Sequence, residues 1–96
     1  MPANEILKNK RDEIIRIARS HGAGNLRLFG SLARGEGTGG SDIDLLVDLS
    51  PETSLLDMIA IKHGIEDLTG CKVDLVTPAA LSPYIRDRIL KDAVPL

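Results

Sequence analysis

The sequence predicts an α/β (α+β) fold: a small mixed β-sheet of about three strands flanked by about four helices. Three observations carry this. Helical and strand periods follow one another along the 96 residues in the order helix, strand, loop, strand, helix, strand, helix. The chain has one Phe, one Tyr and no Trp, so its core is aliphatic. Ninety-six residues allow one domain, 1–96, with one modest core.

The first helix spans about Asn4 to Ser20, with Asn4 as its N-cap. Leu7, Ile14, Ile15 and Ala18 form its apolar stripe, and Lys8, Arg11, Asp12, Arg16 and Arg19 face out. His21-Gly22 ends it, glycine being common just past a helix. Leu26–Phe29 is a short strand that runs into Gly30-Ser31, and Leu32-Ala33-Arg34 adds a helical turn. Asp42–Leu49 is the second strand. Ile43, Leu45, Val47 and Leu49 share one face, and Asp42, Asp44, Leu46 and Asp48 share the other. Pro51 helps to end it. Ser54 and Asp57 form a capping box for the next helix, whose stripe is Leu55, Met58, Ile61 or Ile65, and Leu68, and which Gly70 closes. Lys72–Thr77 is the third strand. Ser82-Pro83 starts the last helix, which carries Ile85, Ile89, Leu90 and Ala93 inward.

Composition excludes several classes. No run of about 20 apolar residues is present, so no transmembrane helix is expected. The start lacks a signal-peptide pattern, and a cytoplasmic protein is the expectation. A single cysteine, Cys71, rules out an internal disulfide and a Cys-based four-ligand zinc site. A net charge of −2 and two aromatic residues argue against a dedicated nucleic-acid binder. Charge is uneven: residues 1–34 carry seven Lys/Arg against three Asp/Glu, and residues 35–96 carry five against eleven. The basic part can meet an anion and the acidic part a cation, although solvated helix faces account for the same counts.

Seven of the nine glycines lie between Gly22 and Gly40. Gly35, Gly37 and Gly40 match G-x-G-x-x-G by spacing, but a dinucleotide fingerprint follows a strand and opens a helix, and these glycines lead into a strand. No P-loop follows Gly30 either, because Gly35 is followed by Glu36-Gly37.

Asp42-x-Asp44 is the stronger signal. Two carboxylates at i and i+2 on a strand point the same way, about 6.5–7 Å apart along the backbone. Side chains converge from there on metal ions spaced about 3.5–4 Å apart. From alternation alone the plainer reading is a strand with a wet polar face. The surroundings shift the balance. Gly30 lets backbone N–H groups approach a phosphate, and Ser31 can donate from its hydroxyl and from the start of a helical turn. Ten residues between Ser31 and Asp42 let the chain return beside the strand it left. Asp74 is a lone acid among apolar strand residues, which is costly unless paired or metal-bound. Three acids beside a phosphate turn are the equipment for nucleotidyl transfer.

Gly30-Ser31-(x10)-Asp42-x-Asp44, inside LFGSLARGEGTGGSDIDLLVDL, resembles the signature of the polymerase-beta-like nucleotidyltransferase superfamily. Val73-Asp74-Leu75-Val76 resembles its third acidic strand. The Leu-Phe-Gly-Ser-x-Ala-Arg-Gly wording, the length and the closing Arg-Ile-Leu-x-Asp-Ala resemble the minimal nucleotidyltransferase (MNT) antitoxin branch, over nearly the whole chain.

The resemblance implies a nucleotidyltransferase fold and transfer of a nucleoside monophosphate from a nucleoside triphosphate to a hydroxyl. It implies that Asp42, Asp44 and Asp74 are catalytic and bind two Mg²⁺ ions, or Mn²⁺, with Asp74 helping to deprotonate the attacking hydroxyl. Gly30 and Ser31 would hold the β- and γ-phosphates of ATP. Arg34 either steadies the leaving pyrophosphate or sits on the surface. The implied partner is a HEPN-domain toxin, neutralised by AMP transfer to a tyrosine in a type VII-like toxin–antitoxin pair. A binding-only antitoxin and a small-molecule nucleotidyltransferase are the alternatives. So short a chain lacks a separate surface for base and acceptor, which a partner or a homo-oligomer would supply.

The remaining polar residues have plainer expectations. Asp48 is too far along its strand from Asp44 to join a shared ion, and Glu36 belongs to the loop surface. His21 is a helix-end residue, His63 a helix-surface residue, and Cys71 a small core or loop residue. Tyr84 can pack at the start of the last helix or serve as a self-modification acceptor, and packing is the expectation.

Overall fold

The computed structural model describes residues 3–35 and 42–96, with side chains from residue 5 onward. α1 begins at Ala3, so Asn4 lies inside the helix and is not its cap; its side chain and the loop residues Glu36 to Gly40 lie outside the described residues. The order is α1 (Ala3–Ser20), β1 (Ala23–Phe29), α2 (Gly30–Ala33), β2 (Ile43–Leu49), α3 (Leu55–Thr69), β3 (Val73–Val76), α4 (Pro83–Asp92) and β4 (Val94–Pro95). A 3-10 turn, Pro78–Ala80, precedes α4.

The strands form one mixed sheet in the order β3-β2-β1-β4. β1 is antiparallel to β2 and β4, and β2 is parallel to β3. A parallel pair needs a crossover, which α3 supplies. The sequence predicts about three strands; β4 is a two-residue fourth, too short to show a period. β1 also starts three residues earlier than expected. Its first half is interrupted between Gly24 and Arg27, where the register shifts and Asn25 sits at φ 49°. Asparagine tolerates that left-handed region better than most residues. The Asn25 amide donates to Asp48 Oδ2 at 2.8 Å, and Arg27 Nη2 donates to Asp48 Oδ1 at 3.0 Å. Asp48 therefore holds the bulge.

One face of the sheet buries Ile43, Leu45, Val47 and Val73 under α1 and α3. α1 contributes Leu7, Ile14 and Ala18 to this core, and its charged residues face outward as its period requires. α3 contributes both Ile61 and Ile65. The helices come close at Gly64, where a Cβ would stand 3.1 Å from Ile17 Cγ2. Glycine in mid-helix costs about 1 kcal/mol relative to alanine; here it lets α1 seat on α3.

Both reciprocal bonds of the α3 capping box form. Ser54 Oγ accepts from the Asp57 N–H at 3.2 Å, and the Ser54 N–H donates to Asp57 Oδ2 at 3.0 Å. Leu55 was expected in the buried stripe but is 77% exposed. The stripe begins a turn later, at Met58, because the first turn of α3 projects past the core.

The second face departs further from expectation. Leu46, assigned to the polar side of its strand, is 0% exposed. It lies between Arg27 of β1 and Val76 of β3, and the 3-10 turn rests against β2. α4 lies against β1 and α2 and contains no buried residue, so Ile85 is 46% exposed. Tyr84, expected to pack, is 95% exposed. Ser82 still caps the helix, its Oγ accepting from the Tyr84 N–H at 3.3 Å. Among the described residues no helix is long and apolar enough to cross a membrane.

Candidate active site

The end of β1 and the starts of β2 and β3 build the site. Residues paired across neighbouring strands project to the same face. Phe29 pairs with Asp44, and Asp44 pairs with Asp74. The three side chains therefore form a row across the second face of the sheet. Asp42 is exposed just before β2, one pleat period from Asp44.

Asp44 is half-buried and Asp74 exposed. Burial pushes the Asp44 carboxyl above the usual carboxylate range. The negative charges of Asp74 and then Asp42 push it further, as does a hydrogen bond with the Asp74 carboxyl. The Arg34 guanidinium opposes this. Such an array favours a proton or a cation over a bare negative charge.

Gly30 sits directly against this row. Its φ is +74°, a conformation that favours glycine, and a Cβ there would stand 3.2 Å from Asp44 Cγ and nearer still to Oδ2. Glycine thus allows the chain to turn tightly from β1 into α2 while passing the carboxylate. Ser31 is half-buried in α2. Arg34 ends α2, its N–H donating to the Gly30 carbonyl at 3.3 Å, and its charge reaches Asp44. The structure therefore brings Gly30, Arg34, Asp42, Asp44 and Asp74 to one end of the sheet, with Ser31 beside them.

The donor set fits a hard divalent cation, since it offers carboxylate oxygens that hold one another's charge at a cost. Among the described residues no three Asp, Glu, His or Cys side chains converge closely enough to hold an ion alone. Mg²⁺ typically takes one or two carboxylates and completes its shell with water and substrate phosphates, so the Asp44–Asp74 pair is compatible with it.

α4 also reaches this end of the molecule. A cleft of about 380 Å³ lies between α2 and α4, lined by Phe29, Gly30, Arg34, Arg88, Ile89 and Asp92. Sequence reasoning missed this contribution. The closing Arg-Ile-Leu-x-Asp-Ala resembles the family's wording, but no local period places Arg88 beside Gly30. His21 stands away from this row, its Nδ1 3.2 Å from Asp57 Oδ1. His63 is exposed, and Cys71 packs at the edge of the core.

The family model described as a nucleotidyltransferase domain matches residues 11–96. A relative from Methanocaldococcus jannaschii, provisionally named a protein adenylyltransferase, is 40% identical over 98% of this chain and 97% of its own. A solved structure described provisionally as a minimal nucleotidyltransferase superposes with a TM-score of 0.88. It is 40% identical and covers all of this chain and 97% of its own. A toxin–antitoxin structure with AMP-PNP shares the fold at a TM-score of 0.73 and 21% identity, over 88% of this chain and 69% of its own. With the match running from α1 to the last residue and through every element of the site, the chain belongs to the nucleotidyltransferase domain family and is a nucleotidyltransferase.

Proposed function

We propose that this protein, one minimal nucleotidyltransferase domain over residues 1–96, transfers AMP from ATP to a protein hydroxyl in a Mg²⁺-dependent reaction. The observation that carries the proposal is the in-register pair Asp44–Asp74 beside the glycine turn at Gly30. The acceptor is a tyrosine of a HEPN-domain toxin, and the protein acts in the cytoplasm as the antitoxin of a type VII-like pair. The relative named for adenylyl transfer and the toxin–antitoxin neighbour support this reading.

Each residue has a role that its position allows. Asp42 and Asp44 would hold two Mg²⁺ ions, and Asp74 would complete one of the two sites. When bound, the ions supply positive charge to the attacking and leaving oxygens of an in-line displacement. Asp74, exposed at the outer strand, accepts the proton of the incoming hydroxyl. Gly30 and Ser31 present donors to the β- and γ-phosphates. Arg34, already close enough to act on Asp44, faces the leaving diphosphate.

The test uses purified protein, Mg²⁺ and ATP labelled at the α-phosphate, with and without a co-purified helical partner. Label is expected on the partner. It should fall by on the order of a hundredfold or more in Asp42→Ala with Asp44→Ala, since the charge stabilisation at stake is several kcal/mol. Full neutralisation of the partner by that double variant, with no label moved by wild type, would instead establish neutralisation by contact.

A further inference from the structure

The cleft between α2 and α4 opens on the same face as the carboxylate row, because Phe29 in its lining is the cross-strand partner of Asp44. Its volume of about 380 Å³ falls within the range of small-molecule sites, about 300–1,000 Å³. Two guanidinium groups and one carboxylate line it, with Phe29 and Ile89 as its apolar part. Arg34 comes from the end of α2 and Arg88 from the middle of α4, so the two cations reach one cleft from different elements. Among the described residues Arg88 forms no ion pair. Holding an exposed guanidinium at the mouth of a cleft without a carboxylate partner leaves its hydrogen-bonding fork available to a ligand.

We propose that Arg88 is a further binding residue for the polyphosphate of the nucleoside triphosphate, reaching it across this cleft from the wall opposite Arg34. The inference rests on the nucleotidyl-transfer reading and adds to it a residue that the sequence did not mark. Guanidinium forks bind phosphate oxygens in a bidentate manner, and an ammonium does so only as a point charge. During transfer the acceptor oxygen bonds to the α-phosphorus and the bridging Pα–O bond breaks. Its electron pair goes to the departing diphosphate, which gains negative charge. Cations fixed on two walls stabilise that charge as it develops. Asp92 stands one helical turn beyond Arg88 on the same rim. A carboxylate there opposes anion binding and keeps the product from being held too tightly.

Calorimetric titration of the full chain with inorganic tripolyphosphate, in Mg²⁺ buffer, tests the site. Arg88→Gln is expected to weaken binding about tenfold, the loss of one charge-assisted contact. Arg88→Lys should recover part of the loss, and Asp92→Asn should bind more tightly than wild type. Arg16→Gln, on the exposed face of α1, should match wild type, and thermal melts check that each variant is folded. Binding by Arg88→Gln within twofold of wild type overturns the proposal, as does a wild-type chain that does not bind tripolyphosphate. Diphosphate release from ATP, measured with the co-purified partner that supplies the acceptor, separates this from the parent reading. If wild type releases none yet binds tripolyphosphate through Arg88, the anion site stands and the transfer reading fails. If wild type releases diphosphate and Arg88→Gln leaves both KM for ATP and tripolyphosphate affinity unchanged, the reverse holds.

Discussion

At Asp44, burial and the neighbouring charges of Asp74 and Asp42 all oppose ionisation, and Arg34 offsets them only in part. The folded protein therefore binds the Asp44 proton more tightly than the unfolded chain does. A carboxyl raised in this way adds stability below its unfolded value near pH 4, and that stability is lost as pH rises through its folded value. Asp44→Asn removes the charge while keeping the shape. In chelator-containing buffer at pH 7 it should raise Tm by a few degrees, and the gain should vanish as pH falls below about 4. Thermal melts of both proteins across that range check it; a gain independent of pH would count against the charge explanation. The same variant should lose nucleotidyl transfer, so the residue is retained at a cost in stability. Asp42 and Asp44 could be picked from the sequence because i, i+2 acids on a strand are a local pattern. That Asp44 meets Asp74 could not, since pairing β2 with β3 is a matter of register between distant segments.

The junction between α1 and α3 shows how elements are tied. Asp57 closes the α3 capping box with one carboxylate oxygen and faces His21, past the end of α1, with the other. The Ser54 backbone N–H, the His21 ring and the Ser54 hydroxyl hold the Asp57 carboxyl below the usual carboxylate range. The sign is opposite to that of Asp44. A lowered carboxyl contributes stability above its unfolded value, and this is lost as pH falls through its folded value. Asp57→Asn should therefore have a lower Tm than wild type at neutral pH, with the deficit closing below about pH 4. Melts at a series of pH values would show whether the two curves converge. The capping box was legible because Ser and Asp three residues apart act within one turn. The His21 contact spans 36 positions and carries no local mark.

For the whole molecule, burial depends on what covers each face of the sheet. Leu46 and Leu55 exchange their expected places: the first is fully buried and the second 77% exposed. Leu46→Ala should cost about 2–5 kcal/mol in urea unfolding, as deletion from a packed interior does. Leu55→Ala should change stability by no more than about 0.5 kcal/mol. Equal effects at the two positions would contradict this arrangement of the second face.

The helices, the three longer strands, the acidic motif and the glycine turn are all legible in the chain without its tertiary structure. These depend on interactions within a few residues: strand alternation, helical period, caps, and the conformational freedom of glycine. Tertiary structure alone decided that β2 and β3 align Asp44 with Asp74, and that β4 completes the sheet. It also decided that Leu46 is buried between Arg27 and Val76, and that α4 brings Arg88 to the cleft beside Gly30. Those outcomes come from register and coverage between segments tens of residues apart. Their energy lies in surfaces brought together by the fold, which no local period records.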